Sequence, residues 1–243
     1  MKTTDIVIPL NDDGSGNKNF EIRYALRSIA ENLYNYRDII IVTAKVPHFI
    51  KGVTNIKQHD GNNKAITLFD KRMAGAELSN ADNIVLWSDD QVLLQETNAL
   101  SLPTLRRGLE LMSDNTENNP WGQILRNTAK LLEWENKTCF DCESHSPNLL
   151  NRKKFIELGK IFYDEIHANP GVVTGSLYHN YYLSVMFEMD LFKTTFDGKT
   201  CAKKRTTLDF GAKMFLGYDN IGLKNGIEHF LMDKFKYKCK YEV

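Results

Sequence analysis

Hydrophobic residues in the first half of the chain follow two alternating patterns: short unbroken runs, and longer stretches that repeat every three to four positions. The unbroken runs, Ile6 to Leu10, Ile39 to Thr43 and Ile84 to Trp87, read as buried strands, with Val53 to Ile56 as a further short one. Between them, Phe20 to Leu33 places Ile22, Leu26, Ile29 and Leu33 on one face, and Lys64 to Leu78 turns Ile66, Phe69, Met73 and Ala76 inward; both predict helices. Asn11 to Lys18, made of Asn, Asp, Gly and Ser with a lysine, reads as a loop. Apolar strands alternating with amphipathic helices predict an α/β fold with a mostly parallel sheet flanked by helices.

The second half is less regular. Helical spacing is present over Leu105 to Met112, Gln123 to Glu135, Phe155 to Tyr163, Leu177 to Met186 and Ile221 to Phe235, and Phe210 to Leu216 reads as a strand. No Pro/Gly/Ser-rich linker or internal repeat divides the chain, so a single domain over residues 1–243 is expected, its second half building the acceptor side of a cleft.

Chemistry enters at Ser88-Asp89-Asp90, which closes the Ile84 to Trp87 run. Carboxylates there sit at the C-terminal end of a strand, where open α/β sheets place their ligands. Two adjacent acids repel, and a fold that tolerates them usually supplies a cation; hard oxygen donors suit Mg²⁺ or Mn²⁺, which commonly hold substrate phosphates too. A solvated Asp-Asp turn is the plainer alternative.

Composition narrows the classes. The chain has 243 residues, 42% hydrophobic and 26% charged, enough for a substantial core. With a formal net charge of +0, no global field draws it to nucleic acid or membrane, so any such attraction is local. No apolar run reaches membrane-spanning length, and the N-terminus lacks the layout of a signal peptide, so a cytoplasmic protein with four cysteine thiols is expected. Cys139-x-x-Cys142 with His145 lacks a second close cysteine pair for zinc, and no thioredoxin-like context surrounds it; two thiols on a half-buried strand is the expected reading.

Several further stretches carry a resemblance. Phe20-Glu21-Ile22-Arg23-Tyr24-Ala25-Leu26-Arg27-Ser28-Ile29, followed by Ile39-Ile40-Ile41-Val42-Thr43, is similar to the opening of Stealth-type sugar-phosphate transferases and of short glycosyltransferase-like proteins of bacteria and phages. Ser88-Asp89-Asp90, His145-Ser146-Pro147, Ser176-Leu177-Tyr178-His179-Asn180 and Lys240-Tyr241-Glu242 resemble later motifs of those proteins, in the same order. The resemblance implies a GT-A-like fold, with residues 1–100 as the nucleotide-sugar-binding half and 101–243 as the acceptor-side half. It also implies a divalent metal, Mn²⁺ or Mg²⁺, at the Asp-Asp motif. Ser88 stands where many members carry the first Asp of Asp-x-Asp, and the longer sequence of full Stealth proteins, with its tryptophan-bearing first-strand motif, is absent. Sugar transfer is therefore favoured over phosphotransfer.

On this basis Asp90 is the expected metal ligand, with Asp89 orienting the ribose or a metal-bound water and His145 as a third ligand. His145 reads equally as a helix-entry residue before Pro147. Lys64 and Arg72, about two helical turns apart, can share a face and contact a diphosphate, or form an ordinary solvated face. Arg23 and Arg27, spaced i, i+4, can bind phosphate or, as the favoured reading, lock the Asp motif through ion pairs. Asn11 and Asp12, after the first strand, are placed to touch base or ribose, unless they form an ordinary turn. Asp219 is a candidate general base for an acceptor hydroxyl, although a helix N-cap before Ile221 is the stronger reading.

Two basic stretches bear on the acceptor. One includes Lys203, Lys204 and Arg205; the other is Phe235 to Tyr241, where lysine alternates with aromatic or thiol residues and an extended strand would put three lysines on one face. Such surfaces can track a phosphate backbone, and a lysine-protected edge strand is at least as common. The expectation is a metal-dependent glycosyltransferase using a nucleotide-diphosphate sugar. Double-stranded phage DNA carrying hydroxymethylcytosine is the suggested acceptor, the compartment then being the host cytoplasm. A sugar-phosphate transferase of surface polysaccharide synthesis and a non-catalytic GT-A-scaffold binding protein are the alternatives.

Overall fold

In a computed structural model of the chain, residues 2–106, 111, 119–143, 145–188, 196–200, 210 and 213–243 are described. The first half runs β1 (Thr4–Pro9), α1 (Gly16–Asn32), β2 (Leu33–Tyr34), β3 (Ile39–Val42), β4 (Thr54–Ile56), α2 (Lys64–Leu78), β5 (Asn83–Leu86), β6 (Gln91–Leu93), β7 (Thr97–Asn98) and β8 (Leu105–Arg106). The second adds α3 (Pro120–Trp134), β9 (Asn148–Asn151), α4 (Arg152–Ile161), α5 (Tyr163–His167), α6 (Thr174–Tyr181), β10 (Phe187–Glu188), β11 (Phe196–Thr200), β12 (Phe215–Tyr218), α7 (Asn220–Gly222) and α8 (Glu228–Lys234).

The main sheet has the order β4-β3-β1-β5-β9. β1 pairs parallel with β3, Ile6 against Ile39, and with β5, Ile6 against Val85. β9 joins the edge antiparallel to β5, with Leu86 opposite Asn148, so the second half of the chain completes the sheet begun by the first. The architecture is the expected one, mixed α/β with a mostly parallel central sheet flanked by helices.

Alternate side chains along a strand point to opposite faces, and β1 divides the core accordingly. Ile6 and Ile8 pack with Ile22, Leu26 and Ile29 of α1, whereas Val7 packs with Phe69 and Ala76 of α2, Phe155 and Leu158 of α4 and Leu177 of α6. Helix α2 starts where its sequence predicts, because the Asn63 side chain accepts from Ala65 N and Ile66 N at 2.9 and 3.2 Å. It lies close against β1 at Gly75, where a Cβ would stand 2.4 Å from Val7 Cγ1. A smaller sheet, β11-β12-β6, carries a third apolar cluster with Tyr24, Leu216, Tyr218, Leu231 and Phe235. The short pairs β2-β7 and β10-β8 tie connecting segments together.

Several expectations from local pattern are corrected. Leu105 and Arg106 form a strand against β10 rather than opening a helix; residues 107–110 and 112 lie outside the described residues. Helix α6 spans Thr174–Tyr181 and stops short of Met186, since Leu183 takes a positive φ of 49°. The helical stretch after Asp219 is broken at Asn225 and at Gly226, whose φ of 115° suits glycine. The strand expected over Phe210 to Leu216 is found later, at Phe215–Tyr218. Cys139 and Cys142 lie on a loop, as free thiols, rather than on a strand. Phe235 to Tyr241 is not a strand, because tertiary bonds bend it: Phe235 O accepts from Arg27 Nη1 at 2.7 Å, and the Tyr241 and Tyr36 hydroxyls meet at 2.7 Å. Among the described residues no helix is long and apolar enough to cross a membrane.

Candidate active site

The chain leaves β1 toward β3 and β4 on one side and crosses back through α2 to β5 on the other, and this reversal opens a crevice at the C-terminal ends of β1 and β5. The crevice holds a cavity of about 640 Å³. Pro9 and Asn11 line it from the end of β1, Lys64, Leu68 and Arg72 from α2, and Ser88 to Gln91 from the end of β5. Trp121 and Ile124 of α3, Cys142, Glu143, His145, Ser146 and Asn148, Val172 to Gly175 and Asp219 complete the walls. The structure thus brings Asn11, Lys64, Arg72, Asp89, Asp90, His145 and Asp219 to one cavity.

The acidic pair is held by a tight turn. Trp87, buried beneath it, donates from its indole to Gln91 O at 2.9 Å. Ser88 N donates to Gln91 Oε1 at 3.1 Å, and Gln91 N to Ser88 O at 3.2 Å, so the turn closes on itself and presents Asp89 and Asp90 to the cavity. Tyr218 N donates to Asp90 O at 3.2 Å, fastening the turn to β12. Burial, then the charges of Asp90 and Glu21, push the Asp89 carboxyl up to about 7, with Lys64 opposing. A site that accumulates acidic charge this way, and offers hard oxygen donors, fits a divalent cation such as Mg²⁺ or Mn²⁺. His145, expected as a third ligand, lines the same cavity with a φ of 51°. Its backbone packs so closely on β12 that a Cβ on Gly217 would be 3.0 Å from His145 O. Pro147 leads from it into β9 rather than a helix. Among the described residues no group of three or more His, Cys, Asp and Glu side chains could hold a metal. The protein's own donors would therefore be the carboxylate pair, with water and substrate oxygens supplying the rest.

A second cavity of about 260 Å³ shares Pro9, Asn11, Lys64 and Leu68 with the first and extends to Asp60, Gly61, Asn62 and Lys71. Lys71 is 1% exposed; its ammonium donates to Leu10 O at 2.7 Å and to Asp60. Asp12, expected against base or ribose, lines neither cavity. It braces this corner instead, accepting from Asp60 N at 3.1 Å while Asp12 N donates to Asp60 Oδ2 at 2.8 Å.

Arg23 and Arg27 also depart from expectation. Neither lines the cavity nor locks the Asp motif; both pair with Glu242, and Arg23 lies 3.9 Å over the Phe49 ring. Their face of α1 turns toward the chain's last segment, a contact no local pattern announces. Lys64 and Arg72 do share a face, as their spacing predicts. Asp219 caps α7, accepting from Ile221 N and Gly222 N at 3.0 and 2.7 Å through one oxygen, Oδ1, and also lines the cavity. Lys203, Lys204 and Arg205 lie outside the described residues.

Sequence reasoning missed Trp121 on α3, Asn148 at the start of β9, Thr174 at the start of α6 and Glu143 on the loop before β9, all of which line the cavity. Asn180 positions this loop: it accepts from Thr138 Oγ1 and Phe140 N at 2.8 and 2.9 Å and donates to Phe140 O at 2.8 Å. Ser176 Oγ accepts from Cys142 N at 2.9 Å, so the Ser176 to Asn180 motif holds the segment that bears Glu143.

No protein-family model and no curated protein sequence matches the chain. Among solved structures it is similar to the glycosyltransferase GlyE of Streptococcus pneumoniae TIGR4, with 12% identity and a TM-score of 0.40. The similarity covers 80% of this chain and 47% of that one, so this chain spans about half the length of its neighbour.

Proposed function

We propose that this chain is a glycosyltransferase that takes a nucleotide-diphosphate sugar into the cavity at the ends of β1 and β5. One observation carries the reading: the acidic turn Asp89-Asp90 and the cation Lys64 line one large cavity, and Lys64 also lines a smaller chamber opening beside it. A nucleotide sugar has the same layout: a flat nucleoside, a doubly charged linker and a polar ring. The nucleoside fits the smaller chamber, against Asn11 and Gly61. Lys64 meets the diphosphate where the two spaces join, and the sugar occupies the larger one, where Trp121 offers a flat apolar surface.

In the reaction an acceptor hydroxyl oxygen bonds to the anomeric carbon and the bond from that carbon to the diphosphate oxygen breaks. Lys64 stabilises negative charge gathering on the diphosphate. Asp219, on the cavity wall, is the candidate to take the acceptor's proton. Asp90 and Asp89 would hold a divalent cation, which when bound neutralises phosphate charge.

The test is incubation with a panel of nucleotide sugars and Mn²⁺, with Asp90→Ala alongside and the released nucleotide identified. Nucleoside diphosphate whose release needs Asp90 supports glycosyl transfer. Nucleoside monophosphate instead assigns sugar-phosphate transfer, and failure of every donor to bind assigns a scaffold without this chemistry.

A further inference from the structure

Arg72 occupies a different part of the cavity from Lys64. The two lie on one helix about 12 Å apart along its axis, from a rise of about 1.5 Å per residue. Lys64 lines both chambers, whereas Arg72 lines only the larger one, in company with Leu86, Glu143 and Gly175. Arg72 is partly buried, and its Nε is shut off from solvent with no hydrogen-bond partner among the described residues. Burial pulls its pKa below the ordinary arginine value, while the charge of Glu143 opposes that.

A guanidinium with five donors is costly to desolvate unless an acceptor meets it, and its planar fork matches a carboxylate. A second feature faces the same space. Helix α6 begins at the cavity wall with Thr174 and Gly175, and no side chain caps it, so its positive end also favours an anion. Glu143 lies beside this end, near enough that a Cβ on Gly175 would be 3.5 Å from Glu143 Oε1. It supplies a counter-charge without occupying the Nε of Arg72.

We infer that Arg72, together with the start of α6, binds a carboxylate on the transferred sugar, so that the donor is an acidic nucleotide sugar such as a nucleotide uronate. The inference rests on the donor reading above and adds the class of sugar. Lys64, which lines both chambers, serves the diphosphate; Arg72, which lines the larger one alone, reads the sugar.

The experiment is calorimetric titration, with Mn²⁺ present, of UDP, UDP-glucose and UDP-glucuronate, and of GDP, GDP-mannose and GDP-mannuronate. The proteins are the wild type, Arg72→Met and Arg72→Lys, each first shown to be folded by thermal denaturation. The expected result is that, for the nucleotide that binds, the acidic sugar is held at least about tenfold more tightly than its neutral counterpart. That ratio falls to about one in Arg72→Met and is partly kept in Arg72→Lys, which retains the charge but not the fork. Equal binding of acidic and neutral sugars by the wild type, or a preference that survives in Arg72→Met, overturns the inference and leaves the donor reading standing. An equal loss of UDP, UDP-glucose and UDP-glucuronate binding in Arg72→Met assigns Arg72 to the diphosphate and likewise overturns it. Failure of the wild type to bind any nucleotide of the panel above, UDP and GDP included, overturns the donor reading and this inference together.

Discussion

Arg27 Nε donates to Glu242 Oε1 at 2.6 Å and Arg27 Nη2 to Glu242 Oε2 at 3.0 Å, a two-pronged bond between α1 and a residue 215 positions away. The Glu242 side chain is 0% exposed and that of Arg27 only 10%, so the pair is desolvated, and removing either partner strands a buried charge. Arg27→Ala is expected to cost about 3 kcal/mol, the low end for a broken buried pair because Arg23 remains beside Glu242. Burial alone would raise the Glu242 carboxyl, but the bonds from Arg27, Cys239 N and Arg23 outweigh it and hold the pKa below its ordinary value. A lowered carboxyl pKa contributes stability above the unfolded value, lost as pH falls through the folded one. Glu242→Gln should therefore melt well below the wild type at neutral pH, and the two melting temperatures should draw together as the pH falls below the ordinary carboxylate range. Parallel curves across that range would sink this account.

Asp89 has the opposite sign. Its carboxyl is raised to about 7, so between the unfolded and folded values the native state holds the extra proton, and stability falls as pH rises through that window. Without divalent cations, Asp89→Asn is expected to match the wild type near pH 4 and to exceed it in melting temperature above about pH 7. Added Mn²⁺ should stabilise the wild type at the higher pH, and the variant much less. Melting curves with a chelator and with Mn²⁺ check both statements.

Asp219 is separable into its two roles by choice of substitution. Asparagine caps helices about as well as aspartate, whereas alanine does not. Asp219→Asn should keep the wild-type melting temperature, and Asp219→Ala should lose about 1 kcal/mol of stability. If Asp219 takes the acceptor's proton, transfer in Asp219→Asn drops by about 100-fold or more at unchanged stability. Wild-type turnover in Asp219→Asn would leave it the cap alone.

Asn180 uses its amide fully, accepting two hydrogen bonds and donating to Phe140 O and, at 2.7 Å, to Ser176 O. Asn180→Ala leaves the Phe140 backbone unpaired in a half-buried loop, at a cost of about 3 kcal/mol. The same loop carries Cys142, a buried thiol that burial pushes well above the ordinary pKa. Native Cys142 is therefore expected to resist thiol reagents, and Asn180→Ala to expose it. Kinetics of thiol labelling, read at Cys142 by peptide mass, measure this.

Much of the molecule was legible because its signals are local. The unbroken run of β1 and the spacing of α2 encode which faces are buried, and Asn63 marks where α2 begins. The placement of Asp89-Asp90 at a strand end followed from the same pattern, and so did the common face of Lys64 and Arg72, since helical periodicity fixes which residues are neighbours. Tertiary structure decided the rest. Nothing around Arg23 or Arg27 names Glu242 as their partner, because the contact depends on where a remote segment is folded back. Asp12 turned from ligand to brace for a similar reason: the buried Lys71 gathers Leu10, Asp12 and Asp60 into one corner. The wall with Trp121, Glu143, Asn148 and Thr174 is assembled from α3, the loop before β9, β9 itself and α6, and β9 reaches it by adding antiparallel to β5. Periodicity reports which side of an element is buried; which remote side chains complete a site is set by long-range packing, which leaves no mark on neighbouring residues.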